Sequence, residues 1–328
     1  MKIMRFIGIV FALFSAGSPS DTSAQDSGKK YKVYMVSNSH LDTQWRWDVK
    51  ATIDDYLYNT AVQNLALLEK YPHYVFNFEG AVKYEWIKEY YPHLFERIRK
   101  FVADGRWNIS GASFEANDPN MPSSESFIRN ILLAQEFYKK EFGIKSKDMF
   151  LPDCFGFSQV MPTLGHHCGL IGFSTQKLSW RTEPLVGDSK NPFPIGLWEG
   201  VDGARIMVAL EPGRYSWNEF PEGDLSANKE LVESARKSPF GIAYRYYGNK
   251  LANGAGDHGG SALPRSIQLL EEGITNGKGP VQLVSATSSQ LYEDYMPYGN
   301  HPELPVFVGE MPLDVHAPGC YTSQAEMK

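Results

Sequence analysis

Just after Lys32 the chain reads Val33-Tyr34-Met35-Val36-Ser37, an uncharged run of β-branched and aromatic residues that predicts a short strand. Beyond a loop, Ile53, Leu57, Ala61, Leu65 and Leu68 recur at three- and four-residue intervals and so share one face of a helix. The alternation repeats. Residues 74–78 read as a strand, 82–103 as a helix stopped at Gly105, 107–110 as a strand and 124–142 as a helix, with the next strand opening at 149–151. Later strand candidates are 171–174, 205–210 and 281–284, and 231–236 and 265–273 have helical character. Strands alternating with helices predict an α/β fold built on a parallel sheet or barrel. In such folds chemistry gathers where loops leave the carboxyl ends of strands. The segment 181–194, rich in Pro, Gly and charge, reads as a surface excursion.

Composition narrows the class. Of 328 residues 42% are hydrophobic and 21% charged, which excludes a disordered, collagen-like or coiled-coil chain. The net charge of -6 gives no basic footprint for nucleic acid phosphates. At the amino terminus Lys2 and Arg5 precede an apolar stretch over 6–14, and Thr22, Ser23 and Ala24 precede Gln25. That pattern predicts a secretory signal peptide over 1–24, hence export to the periplasm or outside the cell. The apolar run is well short of the roughly 20 residues of a spanning helix, so no transmembrane segment is expected in the mature chain. Three cysteines, Cys154, Cys168 and Cys320, form no disulfide framework, and core size must supply the stability.

Polar clusters follow the predicted strands, and another lies in a glycine-rich stretch. In Ser39-His40-Leu41-Asp42, an imidazole and a carboxylate one residue apart can converge on one cation, and this ligand pair suits zinc. Without a metal, Asp42 would be a helix cap. Asp153 sits between apolar neighbours at a strand-to-loop junction, where a carboxylate wants a cation or a strong donor, and is the third ligand candidate. Its alternative role is capping a helix that starts near Ser158, and Cys154 beside it reads as packing. In 254–260, glycines flank Asp257 and His258 and free them to point into a cavity. The loop lacks the Lys-Ser or Lys-Thr and the spacing of a phosphate loop. Glu115, Asn117, Asp118 and Asn120 could hydrogen-bond sugar hydroxyls, while Glu125 and Arg129, four apart, read as a helix-surface ion pair.

Taken in order, H-x-D-x-x-W at 40–45, E-x-x-D-x-N at 115–120, E-x-x-x-R at 125–129, P-D-x-F-G at 152–156 and T-Q-K-L-S-W at 175–180 resemble the glycoside hydrolase family 38 α-mannosidases. The likeness continues through 198–203, 254–260, 309–316 and 319–323. It implies a distorted (β/α) barrel and a zinc-dependent retaining exo-mannosidase acting on mannose-containing glycans with one zinc ion. Asp153 matches the aspartate that both binds zinc and attacks the anomeric carbon, His40 and Asp42 match further zinc ligands, and Asp257 matches the acid/base. Trp45 falls where an aromatic lines the sugar subsite. Glu115, Asp118, Lys177, His316 and Tyr321, in the matching motifs, are the further substrate-binding candidates.

Family members resembling this chain continue for several hundred residues into a helical bundle and β-rich domains, and take a fourth zinc ligand from a later His-Asp motif. Two readings follow: residues 25–328 are the amino-terminal catalytic domain of a longer protein, incomplete at the carboxyl end, or His258 supplies the fourth ligand. Two other classes use the same residues. One is a deacetylase- or amidohydrolase-type enzyme in which His40, Asp42 and Asp153 activate water, and the other is a non-catalytic carbohydrate-binding fragment.

Overall fold

The first strand sets the architecture. In β1 (Tyr31–Asn38) successive side chains point to opposite faces, yet residues 33–38 are all buried, so the strand has protein on both sides. The structure, a computed structural model, describes residues 30–116, 118–179, 191–249 and 257–313. Its other strands are β2 (Phe76–Glu79), β3 (Trp107–Ser110), β4 (Asp148–Phe150), β5 (Gly172–Ser174), β6 (Ile195–Glu199), β7 (Arg205–Ala209), β8 (Ile242–Gly248), β9 (Val281–Ser285) and β10 (Val306–Val308).

The strands form two five-stranded sheets. In the first, β3, β2, β1 and β8 run side by side, and β9 also pairs with β1. In the second the order is β10-β6-β7-β5-β4. Every pairing is parallel except that of β6 with β7, which are close enough in sequence to form a hairpin. Tyr34 and Val36 of β1, Tyr244 and Tyr246 of β8, Phe150 of β4 and Met207 of β7 belong to one buried cluster shared by the inner faces of both sheets. The alternate residues Val33, Met35 and Ala243 pack outward against helices. The sheets meet at two seams, where Ala112 N donates to Asp148 O (2.9 Å) and Tyr246 N to Pro212 O (2.9 Å). The fold is thus α/β with parallel sheets, and among the described residues the ladder does not run unbroken around a closed barrel.

Two expectations about the elements need correction. The helix expected over 82–103 is two helices, Ala81–Tyr90 and Pro92–Ala103. Proline lacks the N–H and disfavours the helical region for the residue before it, and Tyr91 accordingly sits at φ -134°, ψ 56°. The strand β8, with the sequence IAYRYYG, was not expected at all, although it pairs with β1 along seven positions. The helical face beginning near Ile53 is continuous over Val49–Ala51, Thr52–Leu57 and Tyr58–Lys70, the middle piece being π-helical, and Asp48 caps its start by accepting from Ala51 N (2.8 Å). Of the expected excursion over 181–194, residues 181–190 lie outside the described residues, as do the leader, Trp180, His316, Cys320 and Tyr321. Cys154 is buried, and neither it nor Cys168 forms a disulfide among the described residues.

Candidate active site

The strand ends deliver the polar residues to one place. His40 and Asp42 follow β1, Glu79 ends β2, Glu115 follows β3, Asp153 follows β4, Lys177 follows β5, Tyr215 follows β7 and Asp257 follows β8. This is the carboxyl edge of the parallel strands, where such sheets carry their chemistry.

The segment after β1 stays extended and is braced by the glycine-containing loop. Asp42 N donates to Asp257 O (3.0 Å) and Gly259 N to His40 O (2.9 Å), giving an antiparallel bridge between Leu41 and His258. Gly260 N in turn donates to Thr60 Oγ1 (2.8 Å) on the helix Tyr58–Lys70. Glycine is required at 259. Its φ of +75° is left-handed, and a Cβ there would stand 2.3 Å from Thr60 Oγ1.

His40 is the hub. It is buried, and its Nε2 faces Asp42 Oδ1 at 3.3 Å and Asp153 Oδ2 at 3.9 Å. Ligand atoms of His40, Asp42 and Asp257 lie within 4.8 Å of one another. Neither ring nitrogen of His40 has a hydrogen-bond partner. Burial opposes a charged imidazole, but the carboxylates of Asp42, Glu79 and Asp153 outweigh it and hold the ring's pKa well above its ordinary value. Several carboxylates around one buried, unsatisfied ring nitrogen call for positive charge. Imidazole and carboxylate oxygens bind zinc at about 2.0 to 2.2 Å, so ligands of one ion stand up to about 4 Å apart. A small contraction of this set meets that requirement, and the donor chemistry fits zinc.

Asp153 was expected beside His40 and Asp42, and it is there, held also by the Lys177 ammonium at 2.6 Å. Burial pushes its carboxyl upward, with His40 and Lys177 opposing the shift. Burial pushes Lys177 down, opposed by Asp153. The ammonium also lies 4.5 Å from the centre of the Phe155 ring. Asp257, with φ +76°, accepts a hydrogen bond from the Tyr215 hydroxyl and is close enough to Asp153 to repel its charge. Tyr215 is fixed through its backbone, donating from N to Gln176 Oε1 (2.8 Å) and accepting at O from Asn38 Nδ2 (3.3 Å), and burial strongly raises its phenol pKa.

The trio the structure groups most tightly contains Asp257, and His258 is not in it. The reason lies in the bridge: residues paired across it share a face, and Leu41 points away from the face shown by His40 and Asp42. His258 lies with Leu41, its ring stacked on Trp47 (4.2 Å between centroids, 25°) and edge-on to Tyr56 (4.8 Å). Trp45, the expected subsite aromatic, is 56% exposed on the loop after Asp42, with the Arg46 guanidinium 4.3 Å over its ring. Glu115 is half-buried beside Lys83, and burial raises its pKa. Asp118 turns its Oδ1 onto Asn120 N (2.8 Å) and Met121 N (3.3 Å), a local turn contact. Arg129 pairs with Glu125 on an exposed helix face. Tyr215, Glu79 and Lys83 were not anticipated.

The chain matches the description "Glycosyl hydrolases family 38 N-terminal domain" over residues 30–310. It is 33% identical to "Alpha-mannosidase G" of Dictyostelium discoideum over 306 residues, covering 93% of this chain and 26% of that protein. It is 32% identical to human "Alpha-mannosidase 2C1" over 303 residues, covering 91% of this chain and 27% of that protein. This chain thus spans about a quarter of the length of these relatives. Among solved structures, an alpha-mannosidase from Enterococcus faecalis V583 superposes with a TM-score of 0.68 at 23% identity, over 86% of this chain and 31% of the other, which is a likeness of fold. With the family motifs at the carboxyl ends of its strands and a match running from residue 30 to residue 310, the chain belongs to the glycosyl hydrolases of family 38.

Proposed function

We propose that this chain is the catalytic domain of a zinc-dependent retaining α-mannosidase, exported by its leader, that removes terminal α-mannose from glycans. The observation that carries the proposal is the gathering of His40, Asp42, Asp153 and Asp257 from the ends of three separate strands around one buried ring nitrogen. His40, Asp42 and Asp153 would hold the ion, which when bound attracts the vicinal 2- and 3-hydroxyls of mannose and favours the axial 2-hydroxyl. Asp153 attacks the anomeric carbon and forms a glycosyl ester. Lys177, 2.6 Å away, keeps that carboxylate ionised and aimed despite its burial. Asp257 gives a proton to the departing oxygen and then takes one from the water that cleaves the ester, so that two inversions retain configuration. Tyr215, hydrogen-bonded to Asp257, fixes its position between the two steps. No helix among the described residues is long and apolar enough to cross a membrane.

The test is nitrophenol release from 4-nitrophenyl α-D-mannoside together with mass spectrometry after exposure to a fluorinated α-mannosyl trap. Turnover with a glycosyl adduct on Asp153 is expected. Hydrolysis with no adduct points to metal-activated water, and mannose binding with no hydrolysis points to a carbohydrate-binding protein; either overturns the proposal.

A further inference from the structure

Glu79 and Lys83 form an ion pair at 2.6 Å with side chains 4% and 0% exposed. Desolvating two charges costs several kcal/mol, and apolar residues of the same size often serve stability as well, so stability alone does not account for the pair. Its surroundings do. Glu79 Oε1 stands 3.8 Å from His40 Nδ1, on the side of the ring opposite Nε2. That Nδ1 is buried and has no hydrogen-bond partner. The backbone makes room for the ammonium at Gly80, whose φ is +91° and where a Cβ would approach Lys83 Nζ to 3.3 Å.

We propose that Glu79, anchored by Lys83, is a positioning residue for His40: its carboxylate receives the Nδ1 hydrogen and so turns the Nε2 lone pair toward the ion that Asp42 and Asp153 would hold with it. Histidines that bind metals commonly donate their other ring N–H to a carboxylate, which fixes tautomer and orientation. A shift of about 1 Å brings Nδ1 and Oε1 to hydrogen-bond distance. Lys83 cancels the charge of Glu79, so the ring is oriented without adding a further net negative charge to a site that already holds three aspartates. The inference rests on the zinc reading above and assigns a partner to a nitrogen which that reading leaves unused.

Zinc affinity, measured by competition with a chromogenic chelator, tests it in the wild type, Glu79→Gln and Glu79→Asp, with thermal unfolding of the metal-free proteins alongside. Glu79→Gln is expected to weaken zinc binding by roughly 10- to 100-fold. Glu79→Asp keeps the charge beside Lys83, is expected to fall between the two, and serves if the glutamine variant does not fold. In the zinc-loaded wild type the His40 Nδ1 proton is expected as a downfield, exchange-protected resonance that moves upfield in the variants. Equal zinc affinity in wild type and variants, with only the unfolding temperature lowered, would overturn the inference and leave the metal site standing. A wild type that takes up no zinc would overturn the metal site and the inference with it.

Discussion

Asp153→Asn is expected to lose roughly 10⁴-fold or more in kcat on 4-nitrophenyl α-D-mannoside, the scale on which enzymes lose rate when a nucleophile is removed. The substitution keeps the shape of the side chain and leaves an oxygen for the Lys177 ammonium 2.6 Å away, so folding is preserved and the loss reports on chemistry. Circular dichroism and the unfolding midpoint check the fold, and no adduct with the fluorinated trap is expected. A variant that keeps a tenth of the wild-type rate would remove Asp153 from the reaction.

Asp257→Asn is expected to fail in a different pattern. An amide cannot donate and recover a proton, so kcat should fall by about 10² to 10⁴ on a substrate whose leaving group needs protonation. A dinitrophenyl mannoside departs without that proton, and its first step should be nearly unimpaired, so the adduct accumulates. Equal losses on the two substrates would instead give Asp257 a purely structural or ligand role. That outcome is physically available, because Asp257 is also grouped with His40 and Asp42 in space. The leaving-group comparison separates the two roles where a single rate does not.

Much of the frame is legible in the sequence because local signals agree with the tertiary outcome. The helix expected over 124–142 is the helix Ser124–Phe142, begun by a Ser123 side chain accepting from Ser126 N and ended by Gly143 in the left-handed region. The strand expected over 107–110 is β3, bounded by Gly105 and Gly111. β8 escapes because a run buried on both faces shows no alternation of polar and apolar positions, and Arg245 within it reads as a solvent residue. In the fold Arg245 faces outward from the inner core, pairs with Glu230 and is itself buried. Its usable signal was the cluster of three tyrosines and an isoleucine between glycines.

The candidate site divides in the same way. His40, Asp42 and Asp153 follow predicted strand ends and Asp257 stands among glycines, which makes them visible as polar groups in need of partners. Glu79 and Lys83 are invisible because an acid and a base four apart read as an ordinary helix-surface pair, whereas Glu79 ends β2 and Lys83 lies in the helix that follows. Glu125 and Arg129 share that spacing and sit in solvent, their side chains 65% and 68% exposed, whereas Lys83 is fully enclosed. Only the packing of β2 against its neighbours separates a solvent-exposed pair from one placed against an active-site histidine. His258, read as a possible fourth ligand, lies on the face of Leu41 rather than that of His40 for a related reason. Adjacent residues on an extended segment face opposite ways, and the face of each is set by the pairing of Leu41 with His258.

The central claim is that His40, Asp42 and Asp153 hold a single ion beside the groups that act on the sugar. Zinc titration of the metal-stripped protein, followed calorimetrically in the wild type, His40→Ala, Asp153→Ala and Asp257→Ala, tests it most directly. The account predicts one zinc per chain, binding lost in His40→Ala and Asp153→Ala, and binding retained in Asp257→Ala. No uptake by the wild type, or uptake in Asp153→Ala as tight as in the wild type, would contradict it.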